Sequence, residues 1–172
     1  DRAIRWIAVD HLKKTTPELR WNRYLATGGQ FISLRVDQKP FDDIRVRRAM
    51  NLAVNQQEIV DHFYGGHAEL MAYPQHPEFG EYFEPIEAMP DSVQELFTHD
   101  PEEARRLLDE AGVPKGFSFD LQVCSCSPSH MDLVPLLESY FAQVGLKTNI
   151  QTMEYASCLL YTSDAADEGH CV

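Results

Sequence analysis

Residues 124–132 read CSCSPSHMD, and three chemistries can be drawn from them. Ser127, His130 and Asp132 could be arranged as nucleophile, base and acid. Triad members ordinarily come from separated segments, however, and nothing in the sequence builds an oxyanion hole. Cys124, Cys126 and His130 could ligate a soft metal such as copper or zinc, but their spacing matches no standard site. The plainer reading is a strand end followed by a loop. The third chemistry is non-covalent. The hydroxyls of Ser125, Ser127 and Ser129, the imidazole of His130 and the N–H groups opening a following helix suit an anionic or polar ligand group. In open α/β sheets ligands bind beyond the carboxyl ends of strands, which is where this segment would lie. Ser125, Ser127, Ser129 and His130 are therefore the candidate ligand-binding residues, beside the plainer reading of a helix-capping loop. No catalytic residue, metal ligand or cofactor is expected.

Other clusters have simpler explanations. The chain has no HExxH, no phosphate-binding glycine loop, no GxSxG and no paired CxxC. Arg45, Arg47 and Arg48 look like a phosphate patch, but on a helix they more simply face solvent or pair with carboxylates. Glu78, Glu81, Glu84 and Glu87 recur every three residues and read as a solvated acidic loop rather than a cation site. His62 and His67 flank a Gly-Gly turn, where exposed histidines are the expectation. Cys124 and Cys126 would share one face of a strand, and a bridge between them is expected to be badly strained.

The elements that must position these residues alternate between strand and helix. Ile4 to Val9 is a strand end or a helix start. The Gly28-Gly29 turn is followed by Gln30 to Asp37, where Phe31, Ser33 and Arg35 alternate with Ile32, Leu34 and Val36 as in a half-buried strand. A helix is predicted over Asp43 to Ala53, its apolar face formed by Ile44, Val46, Ala49, Met50 and Ala53. A second starts at Asn55 with Glu58 in capping-box position and ends near Tyr64. Residues 67–97 contain Pro74, Pro77, Pro85 and Pro90, and a connection this long is functional or carries short helical turns. In the next helix Asp100 caps, Pro101 takes the first position, Glu103 closes the box, Ala104, Leu107, Leu108 and Ala111 point inward, and Gly112 ends it. A buried strand over Phe117 to Cys124, a helix from Met131 to Val144 and a strand over Lys147 to Met153 form a crossover unit. That arrangement makes the two strands parallel neighbours.

Composition sets the bounds. The chain has 172 residues, 44% of them hydrophobic and 24% charged, as in ordinary globular α/β chains, and no apolar run is long enough to cross a membrane. Its net charge of −12 argues against binding nucleic-acid phosphates. The stretch CLLYTSDAADE, Cys158 to Glu168, resembles a translated sequencing adapter, so residues 158–172 are expected to be non-native. Without the tail's Asp164, Asp167 and Glu168, residues 1–157 carry −9.

Three segments carry a family resemblance: PFDDIRVRRAMNLAVNQQEIV (Pro40 to Val60), HDPEEARRLLDEAGVPKGFSFDLQV (His99 to Val123) and VGLKTNIQTMEYAS (Val144 to Ser157). In content, order and spacing they resemble the family-five extracellular solute-binding proteins of ABC importers, which serve peptides, nickel and related solutes. The resemblance implies an α/β fold, a partial C-terminal lobe of a two-lobed periplasmic-binding-protein-like fold, with a mixed sheet and flanking helices over residues 1–157. It implies a non-enzymatic receptor that captures an oligopeptide or similar polar solute and delivers it to membrane permease subunits. The setting would be periplasmic or membrane-anchored on the extracytoplasmic side, with membrane contact only through a permease or an N-terminal anchor beyond this segment. In that family the strand-to-helix loop lines the ligand cleft, and some peptide binders place an arginine there. This sequence has no Arg or Lys between Gly116 and Lys147, which argues against simple capture of a free peptide carboxylate by the loop. The alternative is the ligand-sensing lobe of a cytoplasmic transcriptional regulator.

Overall fold

The computed structural model describes residues 4–25, 30–71 and 76–157. The Gly28-Gly29 turn, Pro74 and the tail from Cys158 to Val172 lie outside the described residues. In chain order the elements are α1 (Val9–Thr15), α2 (Ile44–Ala53), α3 (Gln56–Glu58), α4 (Asp91–Gln94), α5 (Pro101–Glu110), β1 (Ser118–Cys124), α6 (Pro128–Gln143) and β2 (Lys147–Met153), joined by shorter turns. The chain divides into two compact units, residues 1–30 with 57–88 and residues 31–56 with 89–172.

The first unit is built from α1 and short turns. A 3₁₀ turn at Trp6–Ala8 leads into α1, so the apolar run from Ile4 starts a helix. The helix read from Asn55 onward begins as α3 and continues as a π-helix over Ile59–Phe63, closed by the Tyr64 N–H donating to the Ile59 carbonyl at 3.0 Å. The chain then turns through Gly65 at φ 58°. A Cβ there would sit 2.9 Å from the Trp6 indole, so both conformation and space call for glycine. Trp6 also stacks on His67, with ring centroids 5.3 Å apart. Beyond it, 3₁₀ turns at Pro77–Tyr82 and Ile86–Ala88 occupy part of the proline-rich connection, as its length requires.

The second unit holds one core. In α2 the stripe Val46, Ala49, Met50 and Ala53 is buried, together with Leu52. Ile44 is 61% exposed, contrary to the sequence reading. It stands two residues before Val46, about 200° round the helix from the buried stripe. α2 packs on α5, which buries Ala104, Leu107 and Leu108. Asp100 caps α5 by accepting from the Glu102 and Glu103 N–H groups at 3.1 and 2.9 Å. The Glu103 carboxylate does not close a capping box; it pairs with Arg106 at 2.5 Å, the stronger charge-assisted partner on the same face. That pairing holds the Glu103 carboxyl below its ordinary pKa.

β1 and β2 pair in parallel, with Ser118 opposite Lys147 and Cys124 opposite Met153. Along β1, Phe119, Leu121 and Val123 are buried and the alternate residues exposed, so this strand covers the core with one face only. On the open face the Asn149 amide donates to Asp120 at 3.1 Å. Phe119 meets Phe141 of α6 and Phe41 edge-on, at centroid distances of 5.6 and 5.9 Å. Residues 30–37 differ from expectation. Ile32 and Leu34 pack against the core and Phe31 is exposed, as alternation requires, but Val36, read on the side of Ile32 and Leu34, is 58% exposed. The segment nevertheless has no ladder partner among the described residues and is not a strand. Alternation reports which side is buried, whereas a strand also needs a neighbour.

The start of α2 gives a pH prediction. Asp43 caps the helix by accepting the Arg45 N–H at 2.8 Å, and its carboxylate pairs with the Arg45 guanidinium at 2.5 Å. The Arg45 hydrogen bonds lower the Asp43 carboxyl from 3.8 to about 2. A group held below its unfolded value contributes stability above that value and loses it as pH falls through the folded one. The contribution is thus complete above pH 3.8 and fades towards pH 2. Asp43→Asn is expected to flatten the acid limb of a stability–pH profile between those values, read by urea midpoints at each pH. An unchanged slope would mean that the pair does not persist in solution.

Candidate functional site

β1 ends at Cys124, and the chain turns through Ser125 and Cys126 before α6. α6 begins at Pro128, three residues earlier than predicted from Met131. Proline suits a first helical position, where its missing N–H has no partner to lose and its fixed φ is already helical. Ser127 is therefore the N-cap residue, and its carbonyl accepts the His130 and Met131 N–H groups, each at 3.1 Å. Ser129 and His130 stand in the first helical turn rather than in a loop.

The four candidate residues accordingly have different surroundings. Ser125 is exposed, and its N–H and hydroxyl both donate to the Met153 carbonyl, at 2.9 and 3.1 Å. This ties the turn to the last residue of β2. The Ser127 hydroxyl makes no capping bond; it lies 3.1 Å from the Ser129 hydroxyl, and both residues are half-buried. His130 is half-buried as well. The structure thus joins Ser127 to Ser129 and Ser125 to the sheet, and does not assemble Ser127 with His130 as a triad would need. No Arg or Lys lies from residue 117 to 146, so the hydroxyls and the imidazole stand at the positive end of a sixteen-residue helix without a basic side chain from the same segment.

Cys124 and Cys126 form a disulfide, which corrects the reading of two thiols on one strand face. Two residues of extended strand would separate the Cα atoms by about 6.6 Å, near the upper limit for a bridge. The strand stops at Cys124, and the turn brings the Cα atoms to 5.2 Å. Both sulfurs are thereby engaged with each other rather than offered to a metal. Among the described residues no three His, Cys, Asp or Glu side chains converge.

Sequence inspection missed the Met153 carbonyl as the loop's anchor, because its partner Ser125 lies 28 residues away. The arginine cluster is fully committed to the scaffold. Arg45 pairs with Asp43 and donates to the Glu110 carbonyl at 2.9 Å, Arg47 donates to the Phe41 and Asp42 carbonyls, and Arg48 pairs with Glu95. Two surface concavities of this unit lie away from the 124–130 turn. One, of about 460 Å³, lies between the Lys39–Asp43 turn and Ala111–Phe117; the other, of about 260 Å³, lies between α5 and the end of α6. Neither brings a hydroxyl cluster or an imidazole together, so the turn after β1 remains the chemically richer surface. No helix among the described residues is long and apolar enough to cross a membrane.

Residues 4–170 match the family model described as bacterial extracellular solute-binding proteins, family 5, middle region. The chain is 30% identical over 147 residues to heme-binding protein A of Haemophilus influenzae, covering 83% of this chain and 25% of that protein. It is 33% identical over 138 residues to the dipeptide-binding protein of Escherichia coli, covering 78% and 24%. The crystal structure of a dipeptide-binding protein from a Pseudoalteromonas species, in complex with Met-Leu, superposes with a TM-score of 0.58 at 27% identity, covering 75% of this chain and 25% of that one. The chain spans about a quarter of the length of these relatives.

Proposed function

The chain belongs to the bacterial extracellular solute-binding proteins of family 5, and from that premise we propose that it is part of a receptor that captures a small polar solute, foremost an oligopeptide, for an ABC importer. The observation that carries the reading is the continuous family match over residues 4–170, which includes the β1–α6–β2 crossover. Relatives that bind dipeptides support a peptide; a relative that binds heme makes the pocket's ligand a matter for direct test. The receptor would close around its ligand, because the closed state gains contacts the open one lacks, and would then dock on a permease. The binding surface we assign on this segment is the turn after β1: Ser125, Ser127, Ser129 and His130 beyond a strand's carboxyl end, where their hydroxyls and imidazole would hydrogen-bond a ligand's polar groups. The setting would be extracytoplasmic.

The test is thermal unfolding of the full-length gene product with di- to pentapeptides, heme and nickel–histidine. The true ligand is expected to stabilise by about 2.7 kcal/mol at a hundred times its Kd. Ser127→Ala with Ser129→Ala is expected to weaken it about tenfold, the scale of one or two lost hydrogen bonds. No shift with any solute removes the receptor reading. A normal shift in the double variant removes only the site assignment.

A further inference from the structure

The Cys124–Cys126 bridge is in the wrong place to be a staple for the fold. The chain entropy a disulfide removes from the unfolded state grows with the length of the loop it closes, and this one spans a single residue, Ser125. What it does hold is local. It fixes the backbone at the point where β1 leaves the sheet, and the Cys126 N–H also donates to the Cys124 sulfur at 3.2 Å. The same three residues are tied to β2 through Ser125 and to the α6 cap through the Ser127 N–H, which reaches the Cys124 carbonyl at 3.4 Å. Cys126 is exposed, whereas Cys124 is half-buried at the strand end. Cys126 is thus the more accessible residue for an attacking thiolate, and the Cys126 N–H that donates to the Cys124 sulfur would stabilise Cys124 as the leaving thiolate.

We propose that this bridge is a reducible clamp, a thiol–disulfide exchange site that sets the order of the strand-to-helix turn. The reaction partner is an external dithiol. Its thiolate attacks the Cys126 sulfur, the S–S bond breaks, and Cys124 leaves as a thiolate that takes up a proton. The dithiol's second thiolate then displaces Cys126, whose sulfur takes the second proton. Two electrons pass to the cysteine pair, and the dithiol ends as a disulfide. With the bridge open, Ser125 still holds Met153, but residues 124–127 lose their covalent constraint and the first turn of α6 frays with them. The clamp goes beyond the receptor reading and stands or falls without it.

The experiment uses the chain itself under native conditions. Iodoacetamide labelling followed by peptide mass spectrometry is expected to find Cys124 and Cys126 blocked before reduction. Both should be labelled after treatment with millimolar dithiothreitol without denaturant. Amide exchange over Ser125 to Met131 should then rise about tenfold, a local opening that leaves Phe119 to Val123 protected. The C124S/C126S double variant should reproduce that pattern without reductant, although the wild-type comparison does not depend on its folding. Labelling of both cysteines before any reductant would show that no bridge forms. Reduction only in denaturant, or reduction with unchanged exchange, would show that the bridge is not a clamp. Either result overturns the proposal.

Discussion

Phe141→Ala is expected to lower the unfolding free energy of the second unit by about 3–5 kcal/mol, the usual cost of emptying a buried aromatic site. Phe141 is 1% exposed and the largest of the fully buried side chains. Its ring meets Phe119 edge-on at 5.6 Å, so truncation removes the contact that seats α6 on β1. The cavity would be lined by residues fixed in helices and a strand, which limits collapse. The loss would be a large share of a domain's ordinary stability of about 5–15 kcal/mol. Urea unfolding followed by far-ultraviolet circular dichroism is the suitable readout, because Trp6 and Trp21 both belong to the first unit and their fluorescence reports elsewhere. A midpoint shift worth less than about 1 kcal/mol would mean that α6 does not pack on β1 as described.

Ala104→Leu is expected to cost about 3 kcal/mol by the opposite mechanism. Ala104 on α5 and Ala49 on α2 are both wholly inaccessible, in two helices that pack on each other. A side chain with three more carbons has no room there without moving a helix. The measurement is the same urea series, with Glu102→Ala as the comparison. Glu102 is exposed on the same helix, and its truncation should stay within about 0.5 kcal/mol. Equal stability of Ala104→Leu and the parent chain would show that the α2–α5 contact is loose. The two variants also separate the halves of the core, since one tests the sheet against α6 and the other tests helix against helix.

The candidate site was legible only in outline. The segment CSCSPSH marks the end of a strand and the approach of a helix, and Pro128 in retrospect marks the first helical position. What each serine does was not legible. Ser125 spends its N–H and hydroxyl on Met153, and Ser127 faces Ser129, because of where β2 lies and where α6 begins. The cysteines were misjudged for a related reason. The expectation of a badly strained bridge placed both cysteines on one strand face, although the strand itself is read as ending at Cys124; the turn at Ser125 is what brings the sulfurs into bonding reach.

The sequence by itself determined α2, α5 and the crossover of two parallel strands around α6. The signals for these act within about one helical turn or one strand pleat: Asp100 as a cap, Pro101 at a first position, apolar residues at helical spacing, Gly112 as a stop. It also placed the chain beside its family, through three segments that contain α2, α5, nearly all of β1, and β2. Tertiary structure decided the rest: the exposure of Ile44, the absence of a ladder for residues 30–37, and the pairing of Arg45 with the Glu110 carbonyl and Arg48 with Glu95. Those partners lie 65 and 47 residues away. Local propensity is set by a residue's immediate neighbours. Burial and long-range hydrogen bonding depend on which distant segment arrives at the same place, and no spacing within a single segment encodes that arrival.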